Sequence, residues 1–394
     1  MLSAHQRSAP PLDCGGDGAP VVLHVGKFIP PPAAGIELHT HTLLQALQPH
    51  IPVGLLAACS AVDPQAHQRL PYPVWAVPNL GRWDAVTVSP GVLSAGLRLM
   101  RQGRVRALHL HLPNPWADLL AVLAPRNLPI VASWHSDIVR QRNALRLYRP
   151  LQQAVLRRVQ AVIVATPGHL ASSTQLGAAV RKAHVVPMGI DAAQWQASLA
   201  DRGTVEQLNR FAMGRPIIAS VGRHVYYKGY PWLLQALAHM REPAVLVMAG
   251  HGPLTPALRR IAQQLGLAGR ILWLTDASHA AVVAVLHTCH VFTLPSVEPA
   301  EAFGLASAEA MLCGKPTVVC TLGNGVDDLN RHGQTSLVVP PRDPAALAAA
   351  LDTLCADAEL RQRLGVAARQ WVSTQFSVQA MRDGTLAVYK QILG

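Results

Sequence analysis

Leu294 to Cys320 reads LPSVEPAEAFGLASAEAMLCGKPTVVC, and this stretch decides the fold. Val291 to Leu294 is an apolar run stopped by Pro295, so it reads as a strand end. A polar, Pro-containing loop follows, and a helix is expected to start at Gly304–Leu305. It should stop at Gly314, a residue suited to the left-handed position after a helix, with Pro316 two residues on. Thr317 to Cys320 is β-branched and apolar, as a fully buried strand is.

Glu301 and Glu309 stand eight residues apart within this unit. On one continuous helix that spacing separates them by roughly 80°. Only with Glu301 in the loop ahead of the helix can both face the space over its N-terminus, where free N–H groups and the dipole favour an anion. A phosphate there, with a carboxylate on either side to accept hydroxyl hydrogen bonds, describes a sugar-nucleotide site. The plainer reading is that Glu301 caps the helix and Glu309 is solvated.

Working outward, the α/β alternation fills the chain. Val21 to Gly26 is a strand, Lys27 to Gly35 a loop, and Ile36 to Leu47 carries helical spacing. Strands are expected at 52–58, 107–111, 129–134 and 161–165, with helices within 86–101 and at 116–123. The strand after Pro129 runs into His135-Ser136-Asp137, where an open parallel sheet places ligands, so His135 and Asp137 are candidates. The polar run from Asp191 to Arg210 reads as a linker. The pattern restarts at Pro216 to Gly222, followed by Arg223 and Lys228 at a strand end and helix start, where paired cations can neutralise a diphosphate. Strands at 244–249 and 271–274 and a helix at 280–287 lead back to the opening stretch, and Asp343 caps a later helix with Pro344 at its first position. The expected domains are a disordered leader over 1–19, a first Rossmann-like domain over 20–195, a linker over 196–210, a second Rossmann-like domain over 211–375, and a C-terminal helix over 376–394.

Composition limits the partners. The net charge of +12 calls for an anionic one, and nucleic acid, an anionic membrane surface and a polyphosphate substrate are the choices. Six arginines (140, 142, 146, 149, 157, 158) and no acid lie between Arg140 and Arg158, interleaved with Leu145, Leu147, Tyr148, Leu151, Val155 and Leu156. Such a basic amphipathic segment suits an anionic bilayer surface as well as a plain solvated face. No nucleic-acid module with aromatic interleaving is present, no apolar run reaches the roughly 20 residues of a span, and the N-terminus has no apolar signal core. The six cysteines lack metal-type spacing and the eighteen histidines show no H-E-x-x-H or clustered pattern, so no metal is expected. The G-x-G-x-x-G dinucleotide fingerprint is missing after the first strand, against a dehydrogenase.

Gly222-Arg223…Lys228-Gly229, Gly252-Pro253-Leu254, Glu301-Ala302-Phe303-Gly304…Glu309-Ala310-Met311…Gly314-Lys315-Pro316 and Asp343 follow one another in an order that resembles the retaining glycosyltransferases of family 4, with the GT-B fold. The resemblance covers residues 21–394. It implies an α/β protein of two doubly wound Rossmann-like domains facing a cleft, with the C-terminal helix over 376–394 crossing back to the first. It gives Glu309 the nucleotide ribose hydroxyls and Glu301 the donor-sugar hydroxyls. Arg223 and Lys228 would hold the diphosphate, helped by backbone at Phe303, Gly304 and Leu305. Gly35 would let a first-domain loop approach the phosphates, and His135 would contact the sugar near the anomeric centre. No metal and no cofactor are implied, and no protein nucleophile is named. His135-Ser136-Asp137-Ile138-Val139, Tyr226-Tyr227-Lys228-Gly229 and Asn324-Gly325-Val326 resemble the branch that builds bacterial O-antigen and other surface polysaccharides. That branch implies a GDP-mannose donor, with a UDP-sugar next, a lipid-linked acceptor, and peripheral placement on the cytoplasmic face of the inner membrane. Ala34, His251 and Ser336 depart from the frequent pattern, which has Gly, an acid and Gly there. The rival functions are a non-catalytic sugar-nucleotide-binding partner in polysaccharide assembly and a nucleotide-sugar epimerase.

Overall fold

The computed structural model describes residues 12–13, 21–29, 35–59, 65–83, 86–139 and 142–394. The leader expected over 1–19 therefore lies outside the described residues, except for Leu12–Asp13. The chain divides into two compact units, Met1–Ala165 with Ser173–Gly189 and Val378–Gly394, and Thr166–Ser172 with Ile190–Ser377.

The first unit is built on strands β1 (Leu12–Asp13), β2 (Val21–Phe28), β3 (Val53–Ala58), β4 (Val74–Val77), β5 (Val105–Leu112), β6 (Ile130–Trp134), β7 (Ala161–Val164) and β8 (Ala183–Val185). Their order is β1-β4-β3-β2-β5-β6-β7-β8, parallel except for β1. β3 and β6 are buried throughout and β2 is buried over Val21–Gly26, as a sheet covered on both faces requires. Helix Gly35–Leu47 and the terminal helix Val378–Leu393 share one core with the sheet, through Leu43, Leu44, Leu47, Met381, Val388 and Tyr389.

The second unit carries β9 (Ile217–Val221), β10 (Val245–Ala249), β11 (Ile271–Leu274), β12 (Val291–Leu294), β13 (Thr317–Cys320) and β14 (Ser336–Val339), all parallel, in the order β11-β10-β9-β12-β13-β14. In both sheets the winding reverses at one place, between β2 and β5 and between β9 and β12. Ligands of doubly wound sheets sit outside the carboxyl ends at such a reversal. Those ends are where the candidate residues lie.

The interval 196–210 is not a linker. Asp201 accepts the Thr204 N–H at 2.7 Å and starts helix Arg202–Ala212, which packs on helix His279–Thr288 within the second unit. The run is polar because only Thr204, Leu208 and Ala212, spaced four apart, are buried. Thr166–Ser172 also belongs to the second unit, where the Gly168 N–H donates to the Asp328 carboxylate at 2.6 Å.

Candidate functional site

β9 ends at Val221, and the chain passes Arg223 into a short turn, Tyr226–Lys228, ahead of helix Tyr230–His239. Gly229 ends that turn at φ 68°, and a Cβ there would run into the Pro295 carbonyl oxygen. The close approach presses the Lys228 turn against the loop leaving β12, and the Val297 N–H donates to the Tyr227 carbonyl at 2.8 Å.

Lys228 and Glu301 meet here. Lys228 Nζ lies 2.6 Å from Glu301 Oε2, with the residues 8% and 9% exposed. The Ser296 hydroxyl donates to the same carboxylate oxygen at 2.9 Å, and the Asn324 side-chain amide holds the Glu301 carbonyl at 2.9 Å. Burial alone would favour the neutral amine of Lys228. The charge of Glu301, with Tyr230 and Tyr227 beside it, outweighs burial and raises the Lys228 pKa, so the ammonium is held. A lysine has three N–H donors, so an ammonium bound to one carboxylate still has capacity for a phosphate oxygen. Arg223 is exposed at the strand end, near enough for its charge to act on Tyr227.

Helix Leu305–Leu312 begins from Gly304, whose φ of 85° fills the N-cap position. Glu301 is therefore an ion-pair partner, and not a helix cap. Glu309 is not solvated either: it is buried within that helix. Burial pushes its carboxyl up to about 8, against a downward pull from Lys228. A carboxyl raised by burial beside an ammonium–carboxylate pair makes this cluster a candidate site for polar ligand groups. Phe303 packs edge-on against Phe376, with ring centroids 5.3 Å apart, so its side chain is core and its backbone is what a ligand can reach. The N–H groups of Leu305 and its successor open the helix with no intrahelical acceptor. Lys228, Glu301, Glu309 and the 303–305 backbone thus sit at the reversal of the second sheet.

In the first unit, Gly35 is the exposed first residue of its helix, and the loop before it, with Ala34, lies outside the described residues. His135 follows β6, and its Nε2 shares a hydrogen bond of 3.1 Å with His111 Nδ1. Asp137 is structural: it accepts from Trp134 Nε1 at 3.0 Å, the Ser173 hydroxyl at 2.6 Å and the Thr174 N–H at 2.8 Å.

His135 belongs to a histidine group that local spacing does not reveal. His24 pairs with His109 across β2 and β5, and His111 with Ser133 across β5 and β6. Period-two geometry then puts His24, His109, His111 and Ser133 on one face. His111 Nε2 bonds His24 Nδ1 at 3.0 Å, His24 Nε2 bonds the Tyr389 hydroxyl at 3.0 Å, that hydroxyl meets His109 Nδ1 at 2.5 Å, and His109 Nε2 meets the Ser133 hydroxyl at 2.8 Å. Burial, with neighbouring imidazoles, lowers the pKa of His24, His109 and His111 well below the usual value, so all three are neutral. The legible signal was the alternation His109-Leu110-His111 inside an apolar run.

The basic segment forms helix Arg142–Arg158. Val155 and Leu156 are buried, the Tyr148 hydroxyl donates to the Asp118 carboxylate, and an Arg158 guanidinium N–H bonds the Ala124 carbonyl at 3.2 Å. Leu147 is 87% exposed, with Arg146 and Arg149 exposed beside it. Among the described residues no helix is long and apolar enough to cross a membrane.

Two families match in tandem: "Glycosyltransferase Family 4" over residues 33–194 and "Glycosyl transferases group 1" over 201–371. The chain is 33% identical over 291 residues to D-rhamnosyltransferase WbpZ of Pseudomonas aeruginosa, which covers 73% of this chain and 75% of that one. It is 31% identical over 286 residues to O-antigen chain mannosyltransferase C of Escherichia coli, with the same coverage. Among solved structures, Anabaena Alr3699/HepE in complex with UDP-glucose superposes with a TM-score of 0.78 at 17% identity, over 94% of this chain and 99% of that one, and it shares the two Rossmann-like domains of the GT-B fold. The chain belongs to the group 1, family 4 glycosyltransferases, and it is a GT-B hexosyltransferase.

Proposed function

We propose that this glycosyltransferase moves a hexose from a nucleoside-diphosphate sugar, GDP-mannose first and a UDP-sugar second, to a lipid-linked saccharide acceptor, with retention of anomeric configuration. The observation that carries the reading is the buried Lys228–Glu301 pair beside Glu309 at the reversal of the second sheet. Lys228, with Arg223, takes the diphosphate and absorbs the charge that develops as it leaves, aided by the N–H groups at 303–305. That work needs no divalent metal at the phosphates. Glu309 accepts the ribose hydroxyls and Glu301 those of the sugar. The same reading gives His135 and Gly35 a share in holding the donor.

The relatives at 31% and 33% identity are named for mannosyl and rhamnosyl transfer, which supports a GDP-sugar and a place in O-antigen or related polysaccharide synthesis. Exposed Leu147, Arg146 and Arg149 support peripheral attachment to an anionic cytoplasmic leaflet, where a lipid-linked acceptor is held. The test is incubation with GDP-mannose or UDP-glucose and bacterial lipid-linked saccharide, with NMR of the product. Acceptor-dependent release of nucleoside diphosphate and an α-linked product support the reading. An altered sugar nucleotide formed without acceptor, or an inverted product, contradicts it.

A further inference from the structure

Outside the carboxyl ends of β2, β5 and β6, at the reversal of the first sheet, three histidines from three separate elements converge. His39 comes from helix Gly35–Leu47, His111 from β5 and His135 from the segment after β6, and one ring nitrogen of each lies within 4.8 Å of the other two. We propose that His39, His111 and His135 bind a divalent transition-metal ion of the zinc class, as a three-nitrogen site with one further position open to solvent or a small ligand.

Four observations carry this. First, His39 Nδ1 is buried and has no hydrogen-bond partner. A buried lone pair or N–H left unmatched is costly, and a ligated ion would satisfy it. Second, the three rings already crowd together, with the His39 and His135 ring centroids 5.1 Å apart and those of His111 and His135 5.3 Å apart. Third, the outer partners are arranged to hold the ligand His111. With the ion on Nδ1, its Nε2–H donates to His24 Nδ1, His24 Nε2–H to the Tyr389 oxygen, the Tyr389 hydroxyl to His109 Nδ1, and His109 Nε2–H to the Ser133 oxygen. Every donor on that string has an acceptor. Metal-bound histidines characteristically pass their second N–H to such a partner, which fixes ring and tautomer. Fourth, the donor set is all imidazole. Magnesium and calcium require oxygen ligands, whereas zinc, cobalt and nickel accept three neutral nitrogens and keep a position open.

The site lies within the first unit and shares His135 with the donor-holding role proposed above, so its test reads metal binding and not transfer. The full chain, freed of any affinity tag and stripped with chelator, is titrated with Co(II) and Zn(II), and Mg(II) serves as the comparison. One Co(II) per chain is expected, with the visible absorption of a four-coordinate ion, displaced by Zn(II) and untouched by Mg(II). His39→Ala and His39→Asn are expected to weaken Co(II) binding by roughly 100-fold or more, since losing even an outer partner of a ligand costs 10–100-fold. X-ray absorption of the zinc-loaded wild-type chain counts ligands with no variant required, and three imidazole nitrogens are expected. Binding no tighter than that of Mg(II), Co(II) affinity unchanged in both His39 variants, or fewer than three imidazoles would each overturn the proposal.

Discussion

Lys228 Nζ and Glu301 Oε2 stand 2.6 Å apart in a site where both residues are almost wholly enclosed. Removing one partner of such a pair strands the other charge, at about 3–5 kcal/mol. Lys228→Ala is therefore expected to lose stability as well as turnover, and the two losses can be separated. In Lys228→Ala/Glu301→Gln the stranded carboxylate is gone, so the urea midpoint should recover much of its fall, while kcat stays down by roughly 10²–10³, as for a lost transition-state donor. A double variant with wild-type kcat and only KM changed would remove the leaving-group role.

Glu309 makes the site sensitive to pH. Its carboxyl titrates near 4.5 when exposed and near 8 in the fold, so the folded chain holds the proton more tightly. Stability contributed by this group is thus present below 4.5 and falls as pH rises towards 8. The uncharged Glu309→Gln is expected to melt with the wild type near pH 4 and above it at pH 8.5. If ribose hydroxyls donate to the carboxylate, nucleotide binding at pH 7 must expel a proton. Calorimetry in buffers of different ionisation heat should show most of one proton released by the wild type and none by Glu309→Gln.

Gly229 joins the Lys228 turn to the Glu301 loop, the two halves of the proposed donor site. At φ 68°, with the Pro295 carbonyl against its Cα, it has no room for a methyl group. Gly229→Ala is expected to cost more than the roughly 1–2 kcal/mol of left-handed strain alone. It should also displace Lys228 from Glu301 and raise the donor Kd. Unchanged urea midpoint and Kd would show that the close approach is dispensable.

The membrane reading depends on helix Arg142–Arg158. At about 1 kcal/mol per basic residue near an anionic surface, Arg146→Ala/Arg149→Ala should weaken vesicle binding roughly 30-fold. Leu147→Glu should weaken it as well, and added salt should weaken the wild type. Co-sedimentation indifferent to phosphatidylserine content and to these changes would contradict it.

Much of this was legible because parallel strands are short apolar runs: Val291–Leu294, Thr317–Cys320 and Ile271–Leu274 fall where their composition places them. Lys228, Glu301 and Glu309 were singled out as candidates by their motifs, but their ion pairing and burial were not legible. That depends on how Gly229 packs against Pro295, across a distance in sequence that no local pattern spans. Arg202–Ala212 was misread because its buried stripe is a single row of three residues in a polar run. The histidine group showed only as the alternation His109-Leu110-His111, because His24, His111 and His135 meet only through strand register.

The central claim, that the second unit holds a nucleoside diphosphate through Lys228, Glu301 and Glu309, is tested most directly by thermal shift against GDP, UDP, ADP and NAD. A ligand that binds only the folded chain raises its melting temperature by mass action. The account predicts a rise with one nucleoside diphosphate, GDP before UDP, that is lost in Glu309→Ala. No shift with any of them, or a shift that Glu309→Ala leaves intact, would contradict it.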